Sequence, residues 1–196
     1  MPLSSPVDLP FRRIAITRPP RGWFHNIPTR MFEIYRQVLI ELNLSVFEVE
    51  VEAFLPPDMG RITSLLSDLR AFKPDLAIGL PYGTYALICR MPAQRDGWRP
   101  NLFVDVLEIP TICIWDHAPI QEANQLLGPL PHHSAQSVAG ALGTLRRALS
   151  NPLIVHWSRD SGQTRIMREL GFVRPDQVVQ TGTPALPEFL PRQRTW

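Results

Sequence analysis

The residues best equipped for chemistry stand where apolar runs stop. Asp116 and His117 follow the run Thr111-Ile112-Cys113-Ile114-Trp115 and precede Pro119. An imidazole that titrates near neutrality, beside a carboxylate, can take a proton from a hydroxyl, so this is the candidate catalytic pair. Neighbours on an extended chain point to opposite sides, so one of the two faces a shared substrate. The plainer alternative is that Asp116 caps the loop and His117 lies in solvent. Arg18, Arg21 and His25 occupy the long segment after Ile14-Ala15-Ile16-Thr17 and can clamp an anion, or they are simply solvated. Tyr82 and Gly83 follow the run Leu76-Ala77-Ile78-Gly79-Leu80. They offer an aromatic surface for stacking on a ring and a close backbone approach. Ser158 and Arg159 stand where a further run, ending in His156 and Trp157, feeds a helix start, a place that favours anions. His156 itself, inside an apolar strand, reads better as a satisfied core histidine.

Other constellations carry less. His132-His133 lacks a carboxylate or cysteine at ligand spacing, so no metal site is expected. Ser134 and Ser161 lack the G-x-S-x-G setting of a hydrolase nucleophile. Glu48, Glu50 and Glu52 share one side of a strand and read as a solvated face rather than an acid and base pair. Cys89 and Cys113 lie in apolar surroundings and read as buried free thiols. A dinucleotide fold would carry G-x-G-x-x-G after its first strand, where this chain has Arg18-Pro19-Pro20-Arg21-Gly22. NAD and FAD are therefore not expected, and no cofactor is predicted.

These groups need strands to carry them and helices to cover those strands. The organising stretch is Lys73-Pro74-Asp75 followed by the apolar run to Leu80 and a Pro81-Tyr82-Gly83-Thr84 turn, which reads as strand, sharp loop, helix. Strands are predicted over 12–17, 44–51, 75–80, 111–115, 152–157 and 178–180. The second carries acids, which places it near a sheet edge. Helices are predicted over 29–43 with Thr29 as N-cap, 61–72, 84–90, 134–150 and 158–170, the last stopped by Gly171. The first packs through Met31, Ile34, Tyr35, Val38, Leu39 and Leu42. Residues 56–60 read as a turn, and Asn101 caps a short helical stretch over 102–107, where a strand is the alternative. Strands alternating with helices specify an α/β, doubly wound, mostly parallel sheet with helices on both faces, in three layers.

The chain of 196 residues is long enough for one large core. It divides into a loose arm over 1–10, one domain over 11–183 and a Pro/Arg-rich tail or linker over 184–196. Net charge is +2 and the arginines are scattered among acids, so nucleic acid is not an expected partner. No apolar run approaches the ~20 residues of a membrane span, and the first ten residues lack the order of a signal peptide. A cytoplasmic location is expected.

Four local patterns resemble the N-terminal Rossmann-like domain of bacterial GT-B glycosyltransferases of the CgeB-like and group 1 kind. They are Phe72-Lys73-Pro74-Asp75-Leu76-Ala77-Ile78-Gly79, Leu107-Glu108-Ile109-Pro110-Thr111-Ile112 before Asp116, His156-Trp157-Ser158-Arg159-Asp160 leading into Met167-Arg168-Glu169-Leu170-Gly171-Phe172, and Thr181-Gly182-Thr183-Pro184. The resemblance implies an acceptor-side domain that works with a second Rossmann-like domain. Its partners would be a nucleotide-sugar donor and a glycan, lipid or protein acceptor. From another class, a flavodoxin-like binding module for a small polar ligand or protein partner fits the same alternation.

Overall fold

The computed structural model of the chain describes residues 9–18, 26–50, 58–79, 100–114, 149–158 and 161–180, with the helical positions 139, 143, 146 and 147. Six strands form one sheet: β1 (Arg13–Arg18), β2 (Ser45–Glu50), β3 (Leu76–Gly79), β4 (Thr111–Ile114), β5 (Ile154–Ser158) and β6 (Val178–Gln180). Every pairing is parallel and the order is β2-β1-β3-β4-β5-β6. Helices α1 (Asn26–Glu41), α2 (Met59–Phe72) and α3 (Ser161–Glu169) lie against it. The doubly wound, three-layer α/β architecture expected from the alternation is the one observed, and β2 is the edge strand its acids suggested.

Period-two alternation splits the strand side chains between two cores. Ile14, Ile16, Ile78 and Ile114 pack with Met31, Phe32 and Leu39 of α1. On the opposite face Ala15, Val49 and Ala77 pack with Ile62 and Leu69 of α2 and with Leu102 and Phe103. Further along that face Cys113 and Ile154 pack with Leu149, Met167 and Phe172. Cys113 is buried and forms no disulfide; Cys89 lies outside the described residues.

Local chemistry sets the boundaries. Asp58 caps α2, its Oδ1 accepting from the Arg61 N–H at 3.1 Å, so that helix begins within the stretch expected to be a turn. Helix α1 begins upstream of Thr29, which is helical rather than capping. Its buried stripe takes Phe32 in place of Val38, which is 46% exposed, because Tyr35 and Leu39 set the centre of the contact. Asn101 caps as expected, but the turn it opens, Leu102–Val106, is a π turn. Its Oδ1 accepts from the Phe103 and Val104 N–H groups at 2.9 and 3.4 Å. Gly171, at φ +67, closes α3: the Phe172 N–H reaches the Met167 carbonyl and the Gly171 N–H reaches that of Arg168. Ser158 ends β5 instead of opening α3.

One cross-chain latch ties the sheet's amino end together. Asp75 Oδ2 accepts from the backbone N–H of both Arg12 and Arg13 at 2.9 Å, and Oδ1 accepts from Arg13 Nη2 at 3.0 Å. The Arg13 side chain and these backbone donors hold the Asp75 carboxyl down at about 2. Lys73, at φ 53, is the C-cap of α2. The Lys73-Pro74-Asp75 pattern therefore works as helix cap, helix stop and strand latch.

Candidate functional site

In a parallel sheet every strand ends on the same rim, and here that rim runs Glu50, Arg18, Gly79, Ile114, Ser158, Gln180. β1 connects to β2 on one side, while β3 lies on its other side. The strand order therefore reverses between β1 and β3, and ligands of open α/β sheets bind in the crevice outside that point. The segments leaving Arg18 and Gly79 flank it, and the segment leaving Ile114 starts one strand further on. Arg21, His25, Tyr82, Gly83, Asp116, His117 and Arg159 belong to the segments leaving β1, β3, β4 and β5, and all lie outside the described residues. Arg18 and Ser158 are described.

Arg18 is engaged. Its Nη1 lies 3.5 Å from Glu48 Oε2 and 3.5 Å from Glu50 Oε1. Glu48 also takes Arg36 Nε of α1 at 2.6 Å, and Glu50 takes Arg61 Nη2 of α2 at 3.5 Å. The two glutamates thus hold arginines from three elements rather than standing as a bare solvated face; Glu52 lies outside the described residues. An anion approaching Arg18 has two carboxylates to displace, so Arg18 is oriented along the β2 edge as much as toward the crevice. Beside this network an open groove of about 260 Å³ lies between β2 and α2, lined by Phe47, Leu65, Arg61 and the carboxylates Glu48, Glu50 and Asp68. It sits on the sheet's flank, away from the switch point.

Ser158 is fully buried. Its hydroxyl donates to Gln163 Oε1 at 3.2 Å and accepts from Thr164 Oγ1 at 2.7 Å. This internal polar cluster joins the end of β5 to the first turn of α3, so the Ser158 hydroxyl is turned into the fold. His156 is also fully buried, and its Nε2 carries the proton because its partner at 2.9 Å is the Leu149 carbonyl, which can only accept. Burial pushes its pKa down to about 4 against that hydrogen bond. It is the core histidine that its strand setting suggested.

Several polar roles were missed at the sequence level. Asp105 links the backbone N–H of Asn101, at 2.7 Å, to Asn151 Nδ2, at 3.0 Å. Gln177 Nε2 reaches the carbonyls of Asn151 and Ile154 at 2.6 and 3.0 Å. Gln177 Oε1 accepts from the Arg174 N–H at 3.1 Å, and Pro175 followed by Gln177 is the short-range signal that could have announced this cap. Among the described residues no group of three or more His, Cys, Asp or Glu could hold a metal ion, and no helix is long and apolar enough to cross a membrane. No protein-family model, no curated protein and no solved structure matches the chain.

Proposed function

We propose that this chain is the acceptor-side, Rossmann-like domain of a glycosyltransferase that moves sugar from a nucleotide-sugar to a glycan, lipid or protein acceptor. The observation that supports it is the adjacency of β1, β3 and β4 in a parallel sheet, so that three polar segments leave neighbouring strand ends on one rim. Those segments carry the residue types such a site needs. His117, with Asp116 beside it, takes the proton of the acceptor hydroxyl. Arg21 and His25 neutralise donor phosphates or an anionic acceptor. Tyr82 stacks on a sugar ring, and Gly83 lets backbone approach it. Ser158 and Arg159 mark the next strand end, with Arg159 as the charge available there. The transfer reaction is completed by a second Rossmann-like domain.

A second reading is a flavodoxin-like binding module, favoured by the strand order, which begins 2-1-3-4-5 as flavodoxin-like sheets do. Two of the four patterns behind the glycosyltransferase resemblance also have packing roles of their own: Lys73 to Asp75 in the cap and latch, and Gly171 in the stop of α3. Calorimetric titration with UDP, GDP and a panel of nucleotide-sugars separates the two. Under the first reading a uridine or guanosine diphosphate compound binds, and Arg21→Ala weakens it at least about fivefold, the loss of one charged contact. No binding across the panel fits an acceptor-only half as well as the second reading, and titration with glycan acceptors then decides between them.

A further inference from the structure

The sheet has two edges, and they differ in length. β6 holds three residues, which gives a further strand little to pair with, whereas β2 holds six. The Ser45 N–H bonds the Arg12 carbonyl, and alternate residues of a parallel strand bond the same neighbour, so Ser45, Phe47 and Val49 face β1. Val46, Glu48 and Glu50 therefore present their backbone N–H and C=O groups at the outer side of β2. Acidic side chains on an edge ordinarily discourage pairing with another strand. Here Arg18, Arg36 and Arg61 hold Glu48 and Glu50, so the charge of this edge is compensated.

Helix α2 widens the edge into a surface. Arg61, Ser64, Leu65 and Asp68 recur at helical spacing and form one stripe, which with Phe47, Glu48 and Glu50 lines the groove beside β2. The stripe is open: Ser64 and Asp68 are exposed, the Arg61 side chain is 50% exposed, and Phe47 and Leu65 are partly buried. Its charges stand at opposite ends, Arg61 beside Glu50 and Asp68 about two turns further on. Ser64 and Leu65 occupy the middle. Among the described residues Asp68 has no cationic partner.

A surface with opposite charges at its two ends complements itself when a second copy is turned end for end about a two-fold axis. A second copy of this chain thus already carries the matching pattern. We propose that two copies pair antiparallel through β2 and α2, about a two-fold axis crossing the middle of β2, so that two six-stranded sheets become one. The outward N–H and C=O groups of Val46 and Glu48 then bond the partner's edge. Arg61 meets the partner's Asp68 at both ends of the helix pair, and the small Ser64 at its middle lets the two helices close. Phe47 and Leu65 of both copies form the apolar centre. The interface lies on the sheet's flank, so it is independent of whether the rim binds a nucleotide.

Sedimentation velocity of the full chain over a concentration series reads the association. The wild-type chain is a dimer at about 100 µM and separates on dilution, as suits an interface of one strand edge and one helix face. Asp68→Arg sets like charges against the partner's Arg61 at both ends, and Arg61→Asp does the same with acids. Each weakens the dimer at least about tenfold. Both positions are solvent-accessible, so the far-UV spectrum is unchanged. Mixing the two variants restores a dimer, because each supplies the charge that the other lacks. Hydrogen exchange of the wild-type chain reads the strand pairing without any substitution: the Val46 and Glu48 amides exchange at least about tenfold more slowly in the dimer than in the dilute monomer. Four results overturn the proposal. They are a monomer at about 100 µM, a dimer that both variants leave intact, variants that stay apart when mixed, and edge amides whose exchange ignores concentration.

Discussion

Replacing His156 by Gln tests the buried imidazole. A Gln side chain can offer Leu149 an N–H at a reach similar to Nε2 but does not titrate, so His156→Gln removes the proton equilibrium and keeps the hydrogen bond. The folded His156 stays neutral down to about 4 from an ordinary value of 6.5. Between those values the unfolded chain binds a proton that the folded chain refuses, so stability is fully present above 6.5 and drains away as pH falls. The slope is about 1.4 kcal/mol per pH unit, and the whole window is worth about 3 kcal/mol. For a urea m-value of about 2 kcal/mol/M, the wild-type midpoint drops about 1.5 M more than the variant's between pH 7.5 and 4. Urea unfolding followed by circular dichroism at pH 7.5, 6, 5 and 4 measures the difference. His25, His117, His132 and His133 are common to both chains and cancel in it. A wild-type minus variant difference that stays flat across the window refutes the reasoning, as does an NMR titration of His156 centred near 6.5.

Two further outcomes follow from single contacts. Asp75→Asn unlatches β3 from the start of β1 and costs about 1 to 2 kcal/mol at pH 7, since these charge-assisted bonds are partly solvent-screened. The Asp75 carboxyl lies below its ordinary value, so the wild-type advantage is present above about pH 4 and gone below about 2; denaturation of both chains at pH 7 and pH 2 checks it. Gly171→Ala forces a side chain into positive φ, with its Cβ 3.1 Å from Arg146 Nε, which itself donates to the Leu170 carbonyl at 2.8 Å. It lowers stability by about 1 to 2 kcal/mol, whereas Gly143→Ala, at an exposed helical site with nothing within 4 Å, raises it by up to about 1 kcal/mol; thermal melts of the two variants give opposite shifts.

What the sequence alone determined was local. Alternation of Phe47 and Val49 with Glu48 and Glu50 announced an edge strand, continuous runs such as Ala77-Ile78-Gly79 announced buried ones, and Asn101 and Gly171 announced where a helical turn begins and a helix stops. These signals act over a few residues, through backbone geometry and period, and so can be read from composition and spacing. The reading slipped where Thr29 was taken as a cap although the helix already runs from Asn26, and where Ser158 was given to a helix instead of a strand. Tertiary structure alone decided the rest. It set β1 between β2 and β3, which locates the switch point. It brought Asp75 to the amides of Arg12 and Arg13, over 60 positions away, and it gave Arg18 to two glutamates. The packing of the whole sheet left Val155 and Val179 exposed on one face. Such contacts depend on which distant strand lies alongside, and no spacing within a run of residues encodes that.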